Sequence, residues 1–210
     1  MNMHRIIAID IGANIGWAAH PRPGTNTPGE PLHGSFRLPK CEDGDTGPML
    51  KALRQTMLRT IAGEPVLTTG DAFGNLKLRS MTGQEIKPLY DILIYEAPIP
   101  PAGKDKKVVT NISTTEQQYH RGGCLSMLAA ELGMQCFTGH IQSVRKHFCG
   151  SGFPPEPKQA VQEACRRIGW YPQDHDAADA LALFDFACHL LKQPFRRAEG
   201  PMYFQSKAGF

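Results

Sequence analysis

The sequence lacks any CxxC pair, although it holds six cysteines at positions 41, 124, 136, 149, 165 and 188. Scattered cysteines without paired spacing exclude a zinc ribbon and fit free thiols in a reducing compartment. No run approaches the roughly 18 apolar residues that a membrane helix needs. The opening "MNMHRIIAID" has neither a long apolar stretch nor a cleavage site, so no signal peptide is expected. These absences predict a soluble, cytoplasmic protein. Charge of one sign is also scarce. The 23 Lys and Arg against 20 Asp and Glu leave a formal net charge of +3, which permits nucleic-acid binding without requiring it. There are no internal repeats and no low-complexity tracts. What remains is ordinary for a globular chain: 210 residues, 41% hydrophobic and 20% charged, enough for one sizeable domain with a real core.

The apolar pattern predicts three strands in succession: "HRIIAIDIG" (4–12), its return partner "NIGWAAH" (14–20) and the more polar "LHGSFRL" (32–38). Residues 46–62 have helical spacing, with Leu50, Leu53, Met57 and Ile61 on one stripe. Residues 63–88 read as a small hairpin or a mobile insertion. "YDILIYEAP" (90–98) is a buried strand stopped by Pro98. A helix over 114–134 contains a Gly pair, and "QCFTGH" supplies a fifth strand. Helices near 141–148, 157–168 and 175–192 follow, and the tail 194–210 reads as loose. Three strands followed by strand–helix–strand–helix predict a mixed α/β domain over 1–193, a meander extended by parallel strands.

Acidic residues stand at the ends of apolar stripes. Alternation along the first strand puts Ile6, Ala8 and Asp10 on one face and Ile7, Ile9 and Ile11 on the other. Ile92, Ile94 and Glu96 likewise share a face. If these two strands are parallel neighbours, both carboxylates lie at their carboxyl ends, where open α/β sheets place their sites. In "YPQDHDAADALALFDFA", Asp176, Ala180, Leu183, Ala187 and Leu190 form one helical stripe, with Asp179 beside Asp176. Asp185 falls on the other side and is expected in solvent. Each acid by itself has a plainer reading: Asp174 as an N-cap, Asp176 as a partner of the helix dipole, Asp10 as a turn residue, Glu96 as a strand end. Asp10, Glu96, Asp176 and Asp179 together, each ending an apolar line, fit accident poorly. Converged, they would repel one another. Oxygen-only ligands favour Mg²⁺ or Mn²⁺, and two such ions about 3.5–4 Å apart can serve phosphodiester hydrolysis.

With those residues in view, the chain resembles the RuvC-like branch of the RNase H-like nucleases, the Holliday junction resolvases. The likeness is carried in order by "IIAIDIGANIGWAA", "ILIYEAP" and "DHDAADALALFDFA", and "SVRKHFCGSG" resembles phage and prophage members. The resemblance implies an α/β, RNase H-like fold: a five-stranded mixed sheet flanked by helices. It implies Asp10, Glu96, Asp176 and Asp179 as catalytic metal ligands, two Mg²⁺ or Mn²⁺ ions as cofactors, branched DNA as substrate and a homodimer that nicks a four-way junction symmetrically. Lys104, Lys106 and Lys107 in the loop past Glu96, together with Arg121, Lys146 and Lys158, are candidate DNA contacts. Phe148 and Trp170 are expected in the core.

Two rivals differ in class. The first hairpin also looks like the phosphate-binding start of sugar kinases and actin-like ATPases. Those need a duplicated domain and a second Gly-rich phosphate loop, which this chain lacks. A catalytically inactive module that only binds branched DNA or a protein partner would be expected to have lost acidic ligands, and all four are present.

Overall fold

The computed structural model describes residues 4–22, 29–41, 44–70, 76–99, 112–193 and 195. Two largely apolar runs form β1 (Ile6–Asp10) and β2 (Asn14–Ala19), the more polar third run forms β3 (Leu32–Arg37), and α1 (Gly47–Ala62) follows. Next come β4 (Val66–Gly70), β5 (Leu76–Ser80), β6 (Glu85–Ile86), β7 (Ile92–Glu96), α2 (Ile112–Glu131) and β8 (Gln135–Gly139). Three helices close the chain: α3 (Ile141–Cys149), α4 (Pro157–Arg167) and α5 (His175–Leu190). β3, β2, β1, β7 and β8 make a five-stranded mixed sheet in that order. β1 runs antiparallel to β2 and parallel to β7, and β7 runs parallel to β8. The expected meander with a parallel extension is therefore the observed topology.

Alternation divides the core into two layers. Ile7, Ile9 and Ile11 pack with α1 and α2 residues such as Leu53, Met57, Leu125 and Leu128. Ile6, Ala8, Ile92 and Ile94 pack with Val144, Val161, Leu181 and Phe184 from α3, α4 and α5. The second layer is the face on which Asp10 and Glu96 continue the alternation. Trp170 is buried there, with the ring of Phe148 stacked on it.

α5 is capped by Asp174, whose Oδ1 accepts from the backbone N–H of Ala177 at 2.8 Å. Beyond the cap it is buried on nearly every side from Ala177 to Asp185, as befits a helix laid on the middle of a sheet. Two expectations are corrected here. Asp185 is not in solvent: it is 7% exposed, and its Oδ2 lies 2.9 Å from Nε2 of His147 on α3. Leu190, assigned to the buried stripe, is 56% exposed, whereas Cys188 and Leu191 in the same turn face the core.

The 63–88 segment forms a second, antiparallel sheet of β4, β5 and β6, with Leu78 buried against the α1 side of the core. It joins the C-terminus of α1 to the start of β7, so it lies at the end of the main sheet away from Asp10 and Glu96. The Gly pair in α2 divides its roles. A Cβ on Gly122 would stand 2.8 Å from the Tyr95 ring, so glycine lets α2 press onto β7, whereas Gly123 faces open space. All six cysteines are free. Among the described residues no helix is long and apolar enough to cross a membrane. The tail is not loose at its start: the Phe195 ring packs edge-on against His20, Trp170 and Phe184. Residues 196–210 lie outside the described residues.

Candidate active site

β1 and β7 end side by side. Ile9 stands opposite Tyr95, so the next pair, Asp10 and Glu96, comes level at the carboxyl ends of the two strands. Their side chains share a hydrogen bond. β2 brings the third element. It pairs with β1 so that Gly16 faces Asp10, and a Cβ on Gly16 would sit 1.9 Å from the carbonyl oxygen of Asp176. Glycine therefore lets the first turn of α5 rest directly on the strand. That contact carries Asp176 and Asp179 toward Asp10, whose ionisation both of them oppose. Asn14 Nδ2 donates to Asp176 Oδ2 at 3.0 Å. Asp174 stands apart from the group: one oxygen caps the helix and the other accepts from the Ser35 hydroxyl.

The electrostatics follow from burial. Desolvation, then the charges of Glu96 and Asp179, hold the Asp10 carboxyl well above the usual carboxylate range. The Glu96 carboxyl is pushed up to about 7, by burial first and by Asp179 second; the hydrogen bond from Asp10 and the Arg145 charge act the other way. Asp179 rises to about 6 through burial, opposed by the positive charges of Arg145 and Lys158. The shared hydrogen bond favours a proton on Asp10, which donates to the Glu96 carboxylate. Among the described residues no three His, Cys, Asp or Glu side chains stand in an arrangement that could hold a metal ion as they are. The donor set nonetheless fits a hard divalent cation. It is all oxygen, and Asp179 Oδ1 is buried with no hydrogen-bond partner.

No protein-family model matches the chain, and no curated protein matches it in sequence. Solved structures do match. The structure of Thermus thermophilus RuvC superposes with a TM-score of 0.55, covering 90% of this chain and 97% of that one at 13% identity. T. thermophilus RuvC in complex with its Holliday junction substrate gives a TM-score of 0.54 over the same shares at 11% identity. The fold is RuvC-like.

Within the RuvC-like fold the expected basic residues separate. Arg121 is corrected outright as a surface contact. It is 5% exposed, and its guanidinium donates to the carbonyls of Ile11 and Gly12, just past Asp10, and to Gln117 Oε1. Lys146 is exposed on α3, and Lys158 is exposed at the start of α4, near enough for its charge to act on Asp179. Lys104, Lys106 and Lys107 lie outside the described residues. Arg145 was missed. It acts on both Glu96 and Asp179, whereas its neighbour His147 turns to Asp185. The signal was present in the helix phase: Ile141, Val144, Arg145 and Phe148 share the inward stripe of α3, and Lys146 does not. Asn14 was also missed, because nothing local distinguishes a strand-opening asparagine that reaches another element.

Proposed function

We propose that this chain is a Mg²⁺- or Mn²⁺-dependent endonuclease selective for branched DNA, and that four-way Holliday junctions are its substrate, with forks and flaps open to the same chemistry. One observation carries the reading: carboxylates from both ends of the chain meet at the carboxyl ends of two parallel strands, close enough for Asp10 and Glu96 to share a hydrogen bond. The RuvC-like architecture supports it, one of the matching solved structures being RuvC bound to a Holliday junction.

Asp10, Glu96, Asp176 and Asp179 would hold two ions. When bound, such ions activate a water and stabilise the leaving oxygen of a phosphodiester. The remaining roles belong to the chain itself. Arg145 and Lys158 set positive charge beside the carboxylates, where a scissile phosphate would meet it. Asp174 holds the start of α5 in place. Paired nicks across a symmetric junction call for two copies of the chain, so a homodimer is part of the proposal.

The test is a panel of end-labelled linear, forked and four-way DNAs incubated with Mg²⁺, each with wild type and with Asp10→Asn. The expected result is cleavage of branched DNA only, with symmetric nicks on the four-way substrate, lost in Asp10→Asn while junction binding persists. Unchanged cleavage by Asp10→Asn rules out the metal assignment. Binding without cleavage by wild type points to the inactive module instead.

A further inference from the structure

We infer that Asn14 is a positioning residue for Asp176, fixing which carboxylate oxygen is left for the cations; the inference rests on the metal-dependent reading above. Asn14 opens β2, and alternation puts it on the face of Gly16 and Ala18, the face that carries α5. Gly16 touches the backbone of Asp176, and Asn14 reaches the side chain of the same residue, its Nδ2 3.0 Å from Oδ2. The turn before Asn14 is itself held, since Arg121 occupies the carbonyls of Ile11 and Gly12. The amide therefore projects from a fixed base.

The choice of asparagine has a physical reason. A lysine here would neutralise Asp176 and compete with any cation. A neutral amide leaves the charge in place and only restricts rotation of the carboxylate, with Oδ2 engaged and Oδ1 left over. Asp174 provides the contrast: both of its oxygens are committed, to Ala177 N–H and to the Ser35 hydroxyl, so it has none to offer. Groups that orient a ligating side chain typically contribute about 10–100-fold to metal affinity.

The experiment titrates Mn²⁺ into the metal-free full chain by calorimetry, for wild type, Asn14→Ala, the near-isosteric Asn14→Leu and Ser35→Ala. Melting curves in EDTA run alongside. The expected result is Mn²⁺ binding weakened by about 10–100-fold in both Asn14 variants. The Mg²⁺ concentration for half-maximal junction cleavage should rise by a similar factor, with the EDTA melting temperature little moved. Ser35→Ala should do the reverse, lowering the melting temperature and sparing Mn²⁺ affinity. Asn14→Leu with wild-type Mn²⁺ affinity overturns the inference alone. A wild type that binds no Mn²⁺ overturns the inference together with the reading beneath it.

Discussion

Arg121 holds the turn after Asp10 from behind, its Nη1 donating to the Ile11 carbonyl at 3.2 Å and also to that of Gly12. A buried guanidinium keeps its fork only because several acceptors share the cost of desolvating it; burial accordingly lowers its pKa from the ordinary arginine value. Arg121→Met leaves buried carbonyls without a donor, at about 1–3 kcal/mol for each unsatisfied group. For a chain of this size each kcal/mol is about 2–4 °C in melting temperature. A clear drop in the thermal melt is therefore expected, with junction affinity measured by gel shift nearly unchanged. Lost affinity at an unchanged melting temperature would return Arg121 to the DNA surface. Arg121→Lys should rescue only in part, since an ammonium placed where Nη1 meets the two carbonyls leaves Gln117 Oε1 without the donor that Nη2 supplies.

The meeting of β2 and α5 is the element-scale feature on which the site depends. Gly16 allows backbone to lie on backbone, and any side chain there meets the Asp176 carbonyl rather than a yielding side-chain tip. Gly16→Ala must push α5 off the strand, an overpacking that typically costs about 1–3 kcal/mol. The expected outcome is a lower urea midpoint and loss of cleavage together. A variant that keeps full cleavage would show that the position of α5 on the sheet is not what brings the acids together. The β4–β6 sheet stands at the opposite end of the fold, so substitutions on its exposed face, such as at Leu67, are not expected to alter cleavage chemistry.

For the molecule as a whole, the acid cluster sets a pH dependence with a definite sign. Asp10, Glu96 and Asp179 all have folded pKa values raised above those of the open chain, Glu96 to about 7 and Asp179 to about 6. The folded state therefore holds more protons than the unfolded state between the two sets of values. Stability from the cluster is present in mild acid and is lost as pH rises through about 6 to 7. In EDTA the melting temperature should fall between about pH 5 and about pH 8, apart from contributions of other groups. Mg²⁺ should raise it far more at the upper end, where cations no longer compete with protons, and cleavage should gain over the same interval. Replacing Glu96 by Gln should flatten the EDTA profile; a profile that stays steep would place its origin elsewhere.

Local pattern was enough for the strands, the helices and the faces of Asp10 and Glu96, because period-two and near-period-four alternation are properties of short segments. It was also enough to nominate Asp174 as a cap. The neighbour relations came only with packing. Arg121, a candidate DNA contact by its place in the sequence, is buried on α2 against the carbonyls of the Asp10 turn. Asp185 is enclosed because α3 covers the side of α5 that helical phase alone assigned to water. Arg145 and Asn14 reach acids that are distant in the chain, on strands and helices whose separation no local window can see. Periodicity states which way a side chain points from its own axis. What waits there is decided by the partners that bury it.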